Sequence, residues 1–456
     1  MAGIGFALRR LLLRDTYGGL LQAYAYASII GSGPWLLSIL GILIIGVMSA
    51  SVVEPVSLVA QFQTSVTYLI AFSLVLTGPI QLGFPRYVAD LLYAGEDERI
   101  VPNFIGVLSV VTGAATSLGV CVWLLAFREL GVLYGALMLA GFVVLCNLWV
   151  ATILLSGLKE YHSVAALYGV GYGVSVILAL ALQRFGVEGL LAGFVAGQAV
   201  LLTGMVLFVL RTYRATDVLR YDFLRRGAMF PELLAVGLAF NLAIWLDKLM
   251  FWYSPSTGQA VLGPLRASVI YDLPIFLAYL SIVPGMAVFL VRMETDFAEC
   301  YQRFYEAVRE GARLEYLEQA RDEMVAAVRR GLFEIIKIQS MAALIVVVAG
   351  PTLLDWAGIS RLYLPLLYID VVGAGLQVVL LGVMNVFFYL DKRRAVLVLS
   401  VALLGMNGLF TWVSLQLGPA YYGYGFALAM LASVVIGFIV LDRRLEALEF
   451  ETFMLQ

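Results

Sequence analysis

Apolar runs long enough to cross a bilayer fill this chain almost from end to end. About twelve stretches of roughly 20 to 30 mostly uncharged residues, each able to span a ~30 Å hydrocarbon layer at 1.5 Å per residue, occupy the 456 positions. Hydrophobic residues make up 62% and charged residues only 13%, with mean hydropathy +0.95, so little surface is left to face water. We expect an all-α polytopic membrane protein with about twelve transmembrane helices.

Charges and turn residues place the spans at 20–49, 62–92, 101–127, 130–156, 163–182, 187–210, 230–253, 264–291, 332–353, 362–390, 395–417 and 420–441. Basic loops stay cytoplasmic. With the N-terminus inside, 24 of the 29 Lys and Arg residues fall on that side, leaving Arg128, Arg184, Lys248, Arg266 and Arg361. Both termini are then cytoplasmic. The expected organisation is an N-terminal six-helix lobe over 1–210, a basic cytoplasmic linker at 211–229, a C-terminal six-helix lobe over 230–441 and a tail at 442–456. The second lobe includes a cytoplasmic helical loop at 292–331.

Several chemistries are excluded early. The first span is too long for a signal-peptide core and precedes eleven more. Cys121 and Cys146 lie in spans and Cys300 in a cytosolic segment, so no disulfide framework is expected. His162 is the sole histidine, which rules out sites built on two or three histidines. No cofactor and no metal are expected, and no nucleotide-binding loop is visible: Gly31-Ser-Gly-Pro34 and Tyr421-Tyr-Gly-Tyr-Gly425 lack the lysine that a phosphate loop needs.

Six spans per half imply halves of the same orientation, as in parallel-repeat transporters. The second span carries Gly78, Pro79, Gly83 and Pro85 and closes on Arg86 and Asp90; the eighth carries Pro284 and Gly285 and closes on Arg292 and Asp296. These four charged residues are candidate cytoplasmic gates, although i, i+4 pairs at helix ends with snorkelling side chains would look the same.

Asp247, Lys248, Asp272 and Asp370 sit inside spans, where a charge costs about 2.5 to 3.5 kcal/mol and needs a wet cavity or a partner. Asn241, Trp245 and Lys248 share a helix face. These six residues are the candidate substrate path, since polar groups beside aromatics suit sugar rings. Structural pairing of Asp272 and Asp370 with Lys248 or Arg266 is the alternative. Within 294–330, Phe297, Tyr301, Phe304 and Val308 recur at helical spacing in a charged segment broken near Gly311. That face could dock a cytosolic partner, or lie on the membrane.

The opening Met1-Ala-Gly-Ile-Gly-Phe6, Leu8-Arg-Arg-Leu-Leu12, Asp15-Thr-Tyr17, Leu21-Gln-Ala-Tyr-Ala-Tyr-Ala27 and Gly33-Pro-Trp-Leu-Leu-Ser38 resembles the Pel exopolysaccharide export membrane proteins, the PelG family. Ala7 stands where the resemblance implies an acidic residue. The resemblance implies the multidrug/oligosaccharidyl-lipid/polysaccharide (MOP) transporter superfamily, with two six-helix lobes around a central cavity. It also implies a bacterial inner-membrane complex with a cytosolic Pel glycosyltransferase, a cyclic-di-GMP receptor subunit and another Pel membrane subunit. The expected activity is translocation of a growing polysaccharide, not enzymatic catalysis. A flippase for lipid-linked oligosaccharide, driven by ions or protons at Asp247, Asp272 or Asp370, is one alternative. A membrane anchor for the synthase is the other.

Overall fold

The computed structural model describes residues 57–158, 161–215, 217–356 and 358–454, with scattered positions between 18 and 49. The span expected at 20–49 therefore lies largely outside the described residues. Among the described residues, ten continuous helical stretches are long and apolar enough to cross a membrane. One of them is two helices joined at Gly186, whose φ of +69° reverses the chain at a conformation open to glycine.

Two compact units emerge. One comprises residues 33–245 and 252–268, the other residues 1–32, 246–251 and 269–456. The helix Pro231–Tyr253 contributes to both.

The first unit holds α1 (Ser57–Ala94), α2 (Ile100–Val122), α3 (Val132–Gly157), α4 (Tyr161–Leu182), α5 (Gly186–Thr212) and most of α6 (Pro231–Tyr253). Pro79 and Pro85 stand inside α1, each removing a helical N–H donor. Between the two prolines the Gln81 amide is held inside the helix, donating to the Leu74 carbonyl at 3.4 Å and to Thr77 Oγ1 at 2.9 Å. Next to this break α1 and α6 cross at two glycines. A Cβ on Gly237 would lie 1.9 Å from the Gly78 carbonyl oxygen, so only glycine lets the backbones approach this closely.

The basic segment 211–229, expected as a linker, is docked. The Asn103 side-chain oxygen of α2 accepts from the Asp222 and Phe223 amides at 2.8 and 3.4 Å. Asp222 is bridged by Arg99 at 2.8 Å and Arg225 at 2.9 Å. The hydrogen bond from Arg99 holds the Asp222 carboxyl below the usual carboxylate range. This contribution is present above the unfolded value near 3.9 and is lost only as pH falls through the lower folded value.

After α6 a short antiparallel hairpin intervenes, β1 (Gln259–Leu262) with β2 (Leu265–Ala267). Arg266 fastens it by donating to the Trp252 and Gly258 carbonyls at 3.0 and 2.8 Å. The span expected to start at 264 thus begins at Val269.

The second unit runs α7 (Val269–Leu280), α8 (Val283–Val291), α9 (Ala298–Arg309), α10 (Leu314–Trp356), α11 (Leu364–Tyr389), α12 (Arg393–Leu417), α13 (Tyr424–Glu446) and α14 (Leu448–Met454). Pro284 near the start of α8 separates it from α7, and buried Gln339 of α10 donates to the freed Ser281 carbonyl at 3.1 Å. A π-helical turn, Arg292–Phe297, links α8 to α9. The break near Gly311 is present, at φ +64°. No break occurs near 331, however, because α10 is one helix of 43 residues, about 65 Å long at 1.5 Å per residue. The charged first half of α10 and the apolar second half are continuous, since helical hydrogen bonding does not stop where the hydropathy changes. Ala278, Leu354, Leu367, Val371 and Ala374 form a buried core joining α7, α10 and α11.

Candidate functional site

The intramembrane charges converge in the second unit. Asp247 and Lys248, near the end of α6, are 0% and 5% exposed, and the lysine Nζ donates to Asp247 Oδ2 at 3.0 Å. Neighbours in sequence point about 100° apart on a helix, so the four-carbon lysine stem folds back to meet the carboxylate. Tyr271 of α7 donates its hydroxyl to the same Oδ2 at 2.6 Å, and the Asn407 amide of α12 donates to Oδ1 at 3.4 Å. The Phe251 and Tyr271 rings stack with centroids 3.9 Å apart, which fixes the hydroxyl.

On its far side Lys248 reaches the Tyr279 hydroxyl at 3.5 Å and lies 5.0 Å from the Phe426 ring centroid. A desolvated ammonium gains from such a ring face. Tyr279 in turn donates to Gln377 Oε1 at 3.1 Å. The sequence reading missed Tyr271, Tyr279, Gln377 and Asn407. Gln377 and Asn407, polar residues inside apolar spans, were the signal available.

Asp370 of α11 is different. It is 0% exposed, and among the described residues neither carboxylate oxygen has a hydrogen-bond donor. Gly423 (φ +84°) presses against it, so that a Cβ there would lie 2.8 Å from Asp370 Oδ1. The Lys248 ammonium is directed at Asp247. Asp272 is half-buried on α7.

Asn241 and Trp245 belong to the first unit. The Asn241 amide donates to the Gly237 carbonyl at 2.8 Å, and the Trp245 ring packs 6.3 Å from that of Trp252. Their helix face is shared with Lys248 in sequence, yet each makes its contacts locally.

The two Arg-x-x-x-Asp pairs are both formed. Arg86 and Asp90 meet at 3.2 Å with both side chains more than 40% exposed, a setting in which an ion pair contributes about 0 to 1 kcal/mol. Arg86 also lies 5.7 Å from the Phe230 ring centroid. Arg292, on the π turn, is more engaged, with Asp296 at 2.6 Å and Glu334 of α10 at 2.5 Å.

The face expected at Phe297, Tyr301, Phe304 and Val308 is largely covered within the chain. Phe297 and Phe304 are 0% exposed, and Tyr301 and Val308 are half-buried. Tyr389 covers much of this face, its ring centroid 5.2 Å from Phe297 and 5.3 Å from Tyr301. Amphipathic spacing states that one face is apolar, not what covers it. Here the chain covers itself. Among the described residues, no group of three or more His, Cys, Asp or Glu side chains is placed to hold a metal ion.

The fold is that of the MOP superfamily transporters. An outward-facing multidrug resistance MATE transporter of that superfamily is 15% identical, covering 98% of this chain and 97% of its own, with TM-score 0.66. A MATE transporter in the straight conformation gives 0.64 at 16% identity over the same shares. A MOP superfamily transporter from Pyrococcus furiosus Vc1 (DSM3638), described as having a binding pocket of reverse polarity, gives 0.62 at 15% over 98% and 97%. No protein of curated function matches the chain. Residues 1–453 match the family PelG, described as an exopolysaccharide exporter (EPS-E), and the chain belongs to that family. Family and fold are those of transporters, not of enzymes.

Proposed function

We propose that this protein translocates a Pel-type exopolysaccharide across the bacterial inner membrane, with both termini cytoplasmic and two six-helix lobes forming the transport body. The observation that carries this reading is the family match over residues 1–453 of 456. A polymer longer than the bilayer cannot be enclosed and released in one alternating-access cycle. The growing chain therefore threads across, pushed by polymerisation on a cytosolic Pel glycosyltransferase held in a complex with a cyclic-di-GMP receptor subunit and another Pel membrane subunit. Asp247, Lys248, Asp272 and Asp370, with Asn241 and Trp245, are the proposed path residues. Arg86, Asp90, Arg292 and Asp296 are the proposed cytoplasmic gates.

The test is delivery of polymer. The purified complex, reconstituted in vesicles and given sugar nucleotide outside, is expected to place polymer in the lumen, protected from an added glycoside hydrolase. Protection is expected to disappear when this subunit is omitted. Polymer that is made but remains fully digestible with the subunit present would leave it an anchor for the synthase and reject translocation.

One observation favours a second reading, in which a proton moves the lobe and a lipid-linked oligosaccharide is flipped. Asp370 is a fully buried carboxyl without a donor among the described residues, and its ionised form is costly there unless a proton or cation is taken up. Asp370→Asn keeps the shape and removes the titration. Under this reading the variant reaches normal abundance and loses at least tenfold in luminal delivery. Unchanged delivery by D370N would discard the proton-driven reading while leaving the threading one intact.

A further inference from the structure

We propose that an open groove between α10 and α13 is a binding site for the acyl chain of an anionic phospholipid. The groove, of about 430 Å³, is lined by Leu332, Phe333 and Ile336 of α10 and by Phe438, Ile439 and Leu445 of α13. Phe333 is 66% and Ile439 50% exposed, so the protein itself leaves these apolar walls uncovered. Both helices belong to the stretches long and apolar enough to cross a membrane, and the apolar window of α10 is only 17% buried. Lipid is the medium such walls meet. An apolar groove between two helices in that medium fills with a chain, because an empty apolar gap forfeits dispersion contacts.

The charge at one end selects the headgroup. Arg329, within α10, and Asp442, near the end of α13, both line the groove and pair across it at 3.1 Å. Both side chains stay more than half exposed, so the pair is weak and its arginine keeps donors for a further anion. Around it Arg329, Arg330, Arg443 and Arg444 outnumber the carboxylates of Asp442 and Glu446, and all six are exposed. Basic pockets between transmembrane helices on the cytoplasmic side hold anionic lipid headgroups. From Arg329 to Ile336 is seven residues, about 10 Å along the helix, so a phosphate at the arginine places the first half of an acyl chain against Phe333 and Ile439. An occupant of this kind ties the cytoplasmic arm of α10 to the end of α13 through a molecule that is not part of the chain.

The test uses the full chain in detergent, titrated with phosphatidylglycerol and with phosphatidylcholine and read by native mass spectrometry. One retained phosphatidylglycerol is expected, bound at least fivefold more tightly than phosphatidylcholine. Arg329→Gln is expected to erase that preference, and Ile439→Trp, which fills the groove from an exposed position, to weaken both lipids. A gain in thermal stability with phosphatidylglycerol that both variants lose, while keeping the wild-type melting point without lipid, separates lost binding from misfolding. Equal binding of the two lipids, or variants that bind as wild type, would overturn the proposal. So would a photo-crosslinker at Ile439 that captures a polypeptide in cells instead of a lipid, since the groove would then seat a partner's membrane helix.

Discussion

Replacing Lys248 by methionine is expected to remove most of the folded protein recoverable from membranes. The substitution leaves Asp247, 0% exposed, without the ammonium that now sits 3.0 Å from its carboxylate. Stranding one charge of a buried pair costs about 3 to 5 kcal/mol, a large share of the roughly 5 to 15 kcal/mol that holds a typical protein folded. Tyr271 and Asn407 still donate to Asp247, yet two neutral donors do not replace a cation. The double variant D247N/K248M is expected to recover most of the loss. It removes both charges, keeps an oxygen for the Tyr271 hydroxyl and leaves an apolar stem beside Phe426. Thermal unfolding in detergent reads both. A K248M protein as stable as wild type would mean that the pair does not compensate Asp247, and a double variant no better than the single would mean that the lysine acts through packing alone.

A methyl group on Gly237 is the second change with a large expected effect. Its Cβ would stand 1.9 Å from the Gly78 carbonyl oxygen, and a backbone atom cannot swing aside as a side-chain end can. α1 and α6 must separate, at an overpacking cost of about 1 to 3 kcal/mol even for alanine and more for anything larger. Gly169 of α4 supplies the control, because nothing lies within 4 Å of a Cβ built there. G169A is expected to match or slightly exceed wild-type stability, alanine being favoured over glycine in a helix by about 1 kcal/mol. Equal melting temperatures for G237A and G169A would show that the crossing tolerates a shift and is not held by the absence of side chains.

The membrane helices were legible in the sequence because the bilayer sets one length and one polarity for every span. That demand does not depend on which helix is the neighbour, so α1 to α6 and α11 to α13 fall within a few residues of the apolar runs. The reversal near Gly311 was equally local, a glycine with φ +64° between two charged helical segments. The opening motif placed the chain in its family, and the match over 1–453 agrees.

Other features depended on partners far away in the chain. The 259–267 hairpin is secured by Arg266 donating to carbonyls at 252 and 258, a contact that no period in the sequence announces. The docked basic segment rests on Asn103, more than a hundred residues earlier. Hydropathy identified Asp247, Lys248 and Asp370 as costly charges, but costliness does not state which group offsets it. Only the tertiary structure gave Asp247 its lysine, tyrosine and asparagine and left Asp370 with no donor among the described residues, and only it laid Tyr389 over the aromatic face of α9. The sequence by itself determined what had to be in the membrane, because that depends on each segment's own transfer free energy. Which polar groups meet there depends on long-range packing, and the tertiary structure alone decided it.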